Sequence, residues 1–73
     1  VRVRRRELQN ALEKALAALA PVYRSALVLR ELDGLAYEEI AQILGCSTGT
    51  VKSRLFRARA QMRDLLWEEH REW

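Results

Sequence analysis

Residues 37–62 read YEEIAQILGCSTGTVKSRLFRARAQM, and this stretch decides the fold. Apolar residues recur at helical spacing on both sides of Gly45, a residue type suited to ending a helix in the left-handed conformation. Ser47 is a good N-cap for the helix that follows. The stretch therefore predicts a helix at about Tyr37–Leu44, a very short turn, and a second helix from about Thr48 to at least Leu66.

Both helices of this stretch have an apolar face that must be buried. At 3.6 residues per turn, one narrow stripe of the longer helix contains Val51, Leu55, Ala58, Met62 and Leu65. The residues of the shorter helix expected to face inward are Ile40, Ala41, Ile43 and Leu44. The remaining surface of the longer helix, which carries most of its basic residues, is then left to solvent or to a partner.

The chain before residue 37 predicts two further helices. Apolar residues at helical spacing mark the first, at about Arg5–Ala20: Leu8, Leu12, Ala15, Leu16 and Leu19. Pro21 ends it and suits the first turn of the next helix, at about Val22–Leu32, and Asp33-Gly34 marks a turn. No strand signal of comparable strength is present. The sequence predicts an all-α, compact four-helix domain with a C-terminal helix-turn-helix and a long last helix.

Composition limits the classes of function. The 73 residues include 13 Lys and Arg against 10 Asp and Glu, and Lys52–Arg63 contains bases and no acid. A positive surface of this kind favours an acidic partner such as nucleic acid. Cys46 is the only cysteine and there is one histidine, so neither an internal disulfide nor a zinc site is expected, and a reducing cytoplasm is the default compartment.

Several other functions are not expected from these residues. No apolar run is long enough to span a bilayer, so no membrane partner is predicted. Glu38 and Glu39 are the only paired carboxylates that suggest acid–base catalysis, and adjacent acids in the first turn of a helix are explained by the helix dipole. We therefore predict neither an enzyme, nor a cofactor or metal, nor a small-molecule substrate.

The last helix suits DNA. Two helices joined by a short glycine turn, the second rich in Arg, form the helix-turn-helix arrangement. Arg and Lys can bind guanine O6 and N7, hydroxyls can donate and accept, and an apolar ring can pack on the thymine methyl group. The alternative is that this basic face is only solvated.

The segment LDGLAYEEIAQILGCSTGTVKSRLFRARAQMRDLL closely resembles the C-terminal region-four domain of bacterial RNA polymerase sigma factors, in particular the extracytoplasmic-function group. PVYRSALVLREL resembles the preceding helix of that family. The resemblance implies a domain whose last helix reads the minus-35 promoter element, while other surfaces contact the β-subunit flap of the polymerase core. An anti-sigma factor is a further possible partner.

Residue roles follow from the resemblance position by position. It implies base readout by Lys52, Ser53 and Arg57. It implies backbone contacts by Tyr37, Thr50, Arg54 and Arg59. Thr48 and Phe56 are expected to add contacts to the backbone or flank, independently of the resemblance. A phosphate contact by Arg59 would make Arg59→Ala weaken binding to all duplexes alike and lower the salt slope by about one ion.

The predicted organisation is a basic linker or arm at 1–6, the region-four domain at 7–66 and a tail or helix extension at 67–73. The basic start, VRVRRR, suggests a fragment cut from a longer protein. Two alternatives stay open at this point: a DNA-binding output domain of a LuxR-type response regulator, and a helical protein-interaction module. The roles of Trp67, Trp73 and His70 also stay open.

Overall fold

The computed structural model describes residues 4–70 and contains four helices in this range: α1 at Arg5–Ala18, α2 at Pro21–Glu31, α3 at Tyr37–Leu44 and α4 at Thr48–His70. The predicted all-α four-helix class is confirmed. The structure gives α3 its predicted bounds, ends α1 two residues early and continues α4 beyond residue 66. None of the four helices is both long and apolar enough to cross a lipid bilayer.

The breaks between helices have local causes. Ala20 precedes a proline and is extended (φ −59°, ψ 147°), because the proline ring disfavours a helical conformation at the residue before it. Pro21 then occupies the first turn of α2. Gly34 and Gly45 both have a φ of 68°, in the left-handed region that glycine adopts without a Cβ clash. The two glycine turns set the directions of α3 and α4.

A core formed by all four helices holds the domain together. Its fully buried large side chains are Ile40, Val51 and Leu55, from α3 and α4. The other buried members of this cluster are Leu19, Ala26, Leu27, Ala41 and Ala58. Met62, Leu65 and Cys46 pack against the cluster while partly buried. The predicted apolar stripe of α4 is therefore confirmed.

Three apolar residues in the predicted stripes of α1 and α3 are exposed in the structure. Ile43 was expected to face inward but is 59% exposed. Ile40, Ala41 and Leu44 form the side of α3 that faces the core. On a helical wheel with 100° per residue, Ile43 lies about 110° from the middle of that side. In α1, Ala11 and Ala15 are buried while Leu8 and Leu12 are 41% and 40% exposed, because α1 packs through its small residues.

The start of α3 has only half of a capping box. Ala36 is the N-cap residue, and its backbone N–H donates to Glu39 Oε1 at 2.9 Å. The methyl side chain of Ala36 cannot accept the reciprocal bond from the backbone N–H of residue 39. One helix-end donor therefore lacks the side-chain acceptor that Ser or Thr would supply at this position.

Ala36→Ser should complete the box and raise the free energy of unfolding by about 0.5 to 1 kcal/mol. Ala17→Ser, the same change at an exposed position in the last turn of α1, is the matched control and should not raise stability, because Ser is a weaker helix former than Ala. Chemical denaturation of both variants checks this. An unchanged midpoint for Ala36→Ser would contradict our account of how α3 begins.

Candidate nucleic-acid interface

Helix α4 has a buried side and an open side. Val51, Leu55 and Ala58 are at most 1% exposed, and Ser53 and Arg57 lie on the opposite, exposed side. Lys52 is also exposed, and the Phe56 ring is 75% exposed. An exposed phenyl ring between basic residues gives this face both apolar and charged contacts for a base edge. The structure thus brings together the three residues expected to read bases.

The N-terminal end of α4 is held by Ser47. Its Oγ accepts a hydrogen bond from the Thr50 backbone N–H and donates to Thr50 Oγ1, both at 3.1 Å. This is the predicted N-cap, and it fixes the half-buried Thr50 hydroxyl at the helix start. Thr48 and Arg54 are also half-buried, so their side chains reach solvent at the edge of the open face.

Gly49 lies in the first turn of α4 next to open space. A Cβ built there would meet only Ser47 Oγ, at 3.8 Å. Close packing against a neighbouring helix therefore does not account for this glycine. The backbone at this helix start is accessible to a ligand such as a phosphate, whose charge the helix dipole favours.

Tyr37 joins α2 and α4 through two cation–π contacts. The Arg30 guanidinium carbon lies 4.9 Å from the Tyr37 ring centroid, and Lys52 Nζ lies 5.8 Å from it. Arg30 also donates from Nη1 to the Leu35 carbonyl oxygen at 2.8 Å. We call Arg30, Tyr37 and Lys52 the Tyr37 cluster. It places two cations around an aromatic ring beside the open face of α4.

Sequence reasoning did not assign Arg30 to the site. The residue stands seven positions before Tyr37, on the other side of the Gly34 turn, and only the folded turn brings them together. The signal that could have found it is the basic residue in the last turn of α2, immediately before a short turn into the helix-turn-helix.

Arg59 is placed differently from the other predicted contacts. Its Nη2 forms an ion pair with Glu31 Oε1 at the end of α2, and the two side chains are 48% and 52% exposed. The hydrogen bond to Glu31 raises the pKa of Arg59 above its ordinary value, because the carboxylate favours the charged guanidinium. Arg59 can therefore make the expected contact to the DNA backbone only if its guanidinium binds a phosphate in addition to Glu31 or in place of it.

The model of the family described as sigma-70, region 4 matches residues 9–62, which is most of the chain. The chain belongs to the sigma-70 region 4 family.

Relatives of this region 4 domain agree with the match. The ECF RNA polymerase sigma-E factor of Escherichia coli K12 is 53% identical over 53 residues, which are 73% of this chain and 28% of that protein. The factor of the same name from Salmonella typhimurium LT2 gives the same values. The ECF RNA polymerase sigma factor SigE of Mycolicibacterium smegmatis is 51% identical over 55 residues, 75% of this chain and 21% of that protein. The chain thus spans about a quarter of the length of these relatives, and its resemblance to the extracytoplasmic-function group is confirmed.

The region 4 domain has a second surface, an apolar groove between α1, α2 and the C-terminal half of α4. The groove has a volume of about 900 Å³, and apolar side chains form most of its lining: Leu12, Leu16, Leu27, Leu32, Met62, Leu66 and Trp67. Leu32 and Trp67 are 72% and 65% exposed. The structure thereby places Trp67 in a specific surface, whereas Trp73 and the His70 side chain lie outside the described part of the chain.

Proposed function

We propose that this domain binds the minus-35 element of promoters in the major groove and so helps to direct RNA polymerase in transcription initiation. The observation that carries the proposal is the orientation of α4. Its core stripe is buried to 1% or less at three positions, and this fixes Lys52, Ser53 and Arg57 on the open side. Membership of the region 4 family supports the same function.

Base readout and backbone contact are divided between parts of the interface. In the proposed complex, Arg57 and Lys52 bind guanine edges, Ser53 hydrogen-bonds a base edge and Phe56 packs on a thymine methyl group. Phosphate contacts surround them, from Arg30 and Tyr37 on one flank and from Thr48, Thr50, Arg54 and the start of α4 on the other. The backbone contacts fix the position of α4 in the groove, and the base contacts select the sequence.

The family match favours this function over the LuxR-type alternative. The two also differ in stoichiometry, because a response-regulator output domain works as a dimer on paired half-sites. We propose instead that one region 4 domain reads one element. A polymerase-directing factor of this kind acts in the cytoplasm, where its DNA and its polymerase are located.

Two duplexes of equal length and base composition test the proposal. One carries the minus-35 element of a promoter directed by the Escherichia coli sigma-E relative, and the other carries the same bases scrambled. We expect tighter binding to the first at each salt concentration, with both affinities falling as log salt rises. Equal affinities for the two duplexes would contradict sequence-specific binding by this domain.

The apolar groove is the proposed site for a helix of the polymerase core, at the β-subunit flap. Apolar side chains form most of the floor, and basic Arg63 and acidic Glu13 both line it. An amphipathic helix can bury its apolar face in such a groove and place charged residues over the rim. An anti-sigma factor with a similar helix would compete for the same surface, so the protein-interaction alternative becomes a second use of this domain.

A further inference from the structure

The Glu31–Arg59 ion pair lines the apolar groove, and Arg59 also interacts with Tyr37. Arg59 follows Lys52 by seven residues, so the two side chains leave α4 only about 20° apart, two turns from each other. Lys52 contacts Tyr37, and Tyr37 also acts on Arg59 by raising its pKa, after the larger effect of Glu31. Arg59 is therefore a neighbour of the proposed phosphate-binding residues.

Stability does not account for the carboxylate at this position. Glu31 is the last residue of α2, where the helix dipole disfavours a negative charge. An ion pair between two half-exposed side chains contributes little to folding, because solvent screens it and two long side chains must be ordered. The main consequence of the pair is electrostatic. The Glu31 carboxylate neutralises the charge of Arg59, which lies beside Tyr37 on this side of α4.

We propose that Glu31 limits the affinity of the domain for DNA by competing with phosphate for Arg59. The inference rests on the proposed function, since it takes the flank of α4 to lie along a phosphate backbone. Glu31 does not contact a base. It lowers the number of phosphate contacts that the domain makes and leaves the sequence preference of the domain unchanged. In the wild-type domain Arg59 remains ion-paired with Glu31, so Arg59→Ala alone should leave the salt slope nearly unchanged. The sequence alone led us to expect a slope lower by about one ion.

Glu31→Gln releases Arg59 without removing the side chain. We expect binding to a scrambled duplex to tighten about 8-fold at 0.1 M salt and the slope of log K against log salt to steepen by about 0.9, the value for one phosphate. Glu7→Gln is the matched control, since it makes the same charge change at an exposed residue in the first turn of α1, outside the groove. It should change affinity less than 2-fold, because the Glu31–Arg59 ion pair stays intact in this variant.

The decisive measurement repeats Glu31→Gln in an Arg59→Ala background. If Glu31 acts through Arg59, the gain in affinity and the steeper slope both disappear in the double variant. An equal gain in both backgrounds would overturn the proposal by showing a general field effect, and weaker binding by Glu31→Gln would overturn it by showing that Glu31 orients Arg59 for phosphate. These outcomes are read on scrambled DNA, so they are distinct from failure of the proposed function, which would appear as equal affinity for promoter and scrambled duplexes.

Discussion

Arg57→Ala is expected to weaken binding to a promoter duplex by about 1 to 3 kcal/mol and to relax discrimination at one or two base pairs. Arg57 lies on the exposed side of α4, opposite the buried Val51 and Leu55, so truncating it removes no core contact. A guanidinium that binds guanine in a bidentate way cannot be replaced by water without loss of selectivity. Competition with duplexes carrying single base-pair changes measures the lost discrimination.

Arg63→Ala is the matched control for this prediction. Arg63 is exposed on the same helix but lines the apolar groove, so its removal should weaken binding only slightly and for all duplexes alike. The result that would contradict base readout by Arg57 is an equal loss on promoter and scrambled DNA. Such a loss would assign Arg57 to a phosphate contact instead, because backbone contacts carry no direct sequence information.

Leu32→Gln should reduce the affinity of the domain for core RNA polymerase by about 1 to 2 kcal/mol, roughly 5- to 30-fold. Leu32 is 72% exposed at the groove, so a bound helix would bury most of the side chain, and burial of a leucine is worth about 1.5 to 3 kcal/mol in full. Trp67→Gln should cost more, since aromatic side chains dominate interface energetics. A fluorescence titration of the labelled domain with core polymerase measures both effects.

Val22→Gln is the control for the groove variants. Val22 is 48% exposed in the first turn of α2 and does not line the groove, and neither change to Gln alters the net charge. Both Leu32→Gln and Val22→Gln should therefore bind DNA as the wild-type domain does. If Leu32→Gln and Val22→Gln bind polymerase equally well, the groove is not the site of the polymerase helix.

Local signals made most of the fold predictable. Gly34, Gly45, Pro21 and Ser47 each act on their immediate neighbours, and each has its predicted conformational role in the structure. The spacing of apolar residues identified the buried side of α4 because the same spacing repeats over several turns of this long helix. The same method was wrong about Ile43, because an eight-residue helix defines the direction of its buried face but not its width.

The open face of α4 was predictable for the same reason, since burial of one side fixes the other. Contacts between distant parts of the chain were not. The Glu31–Arg59 pair joins residues 28 positions apart, and the Tyr37 cluster combines residues from α2, α3 and α4. Charge and spacing alone assign Arg59 to the basic face of α4, and only the packing of α2 against α4 shows that it has an acidic partner.

Helix α4 of this domain should read base sequence by itself. Selection of binders from a pool of random duplexes by the isolated domain at low salt tests it most directly. We expect a short enriched motif that disappears or broadens when the selection is repeated with Arg57→Ala. Retention of duplexes without any enriched motif would contradict it, because it would show that the basic face of α4 recognises only phosphate.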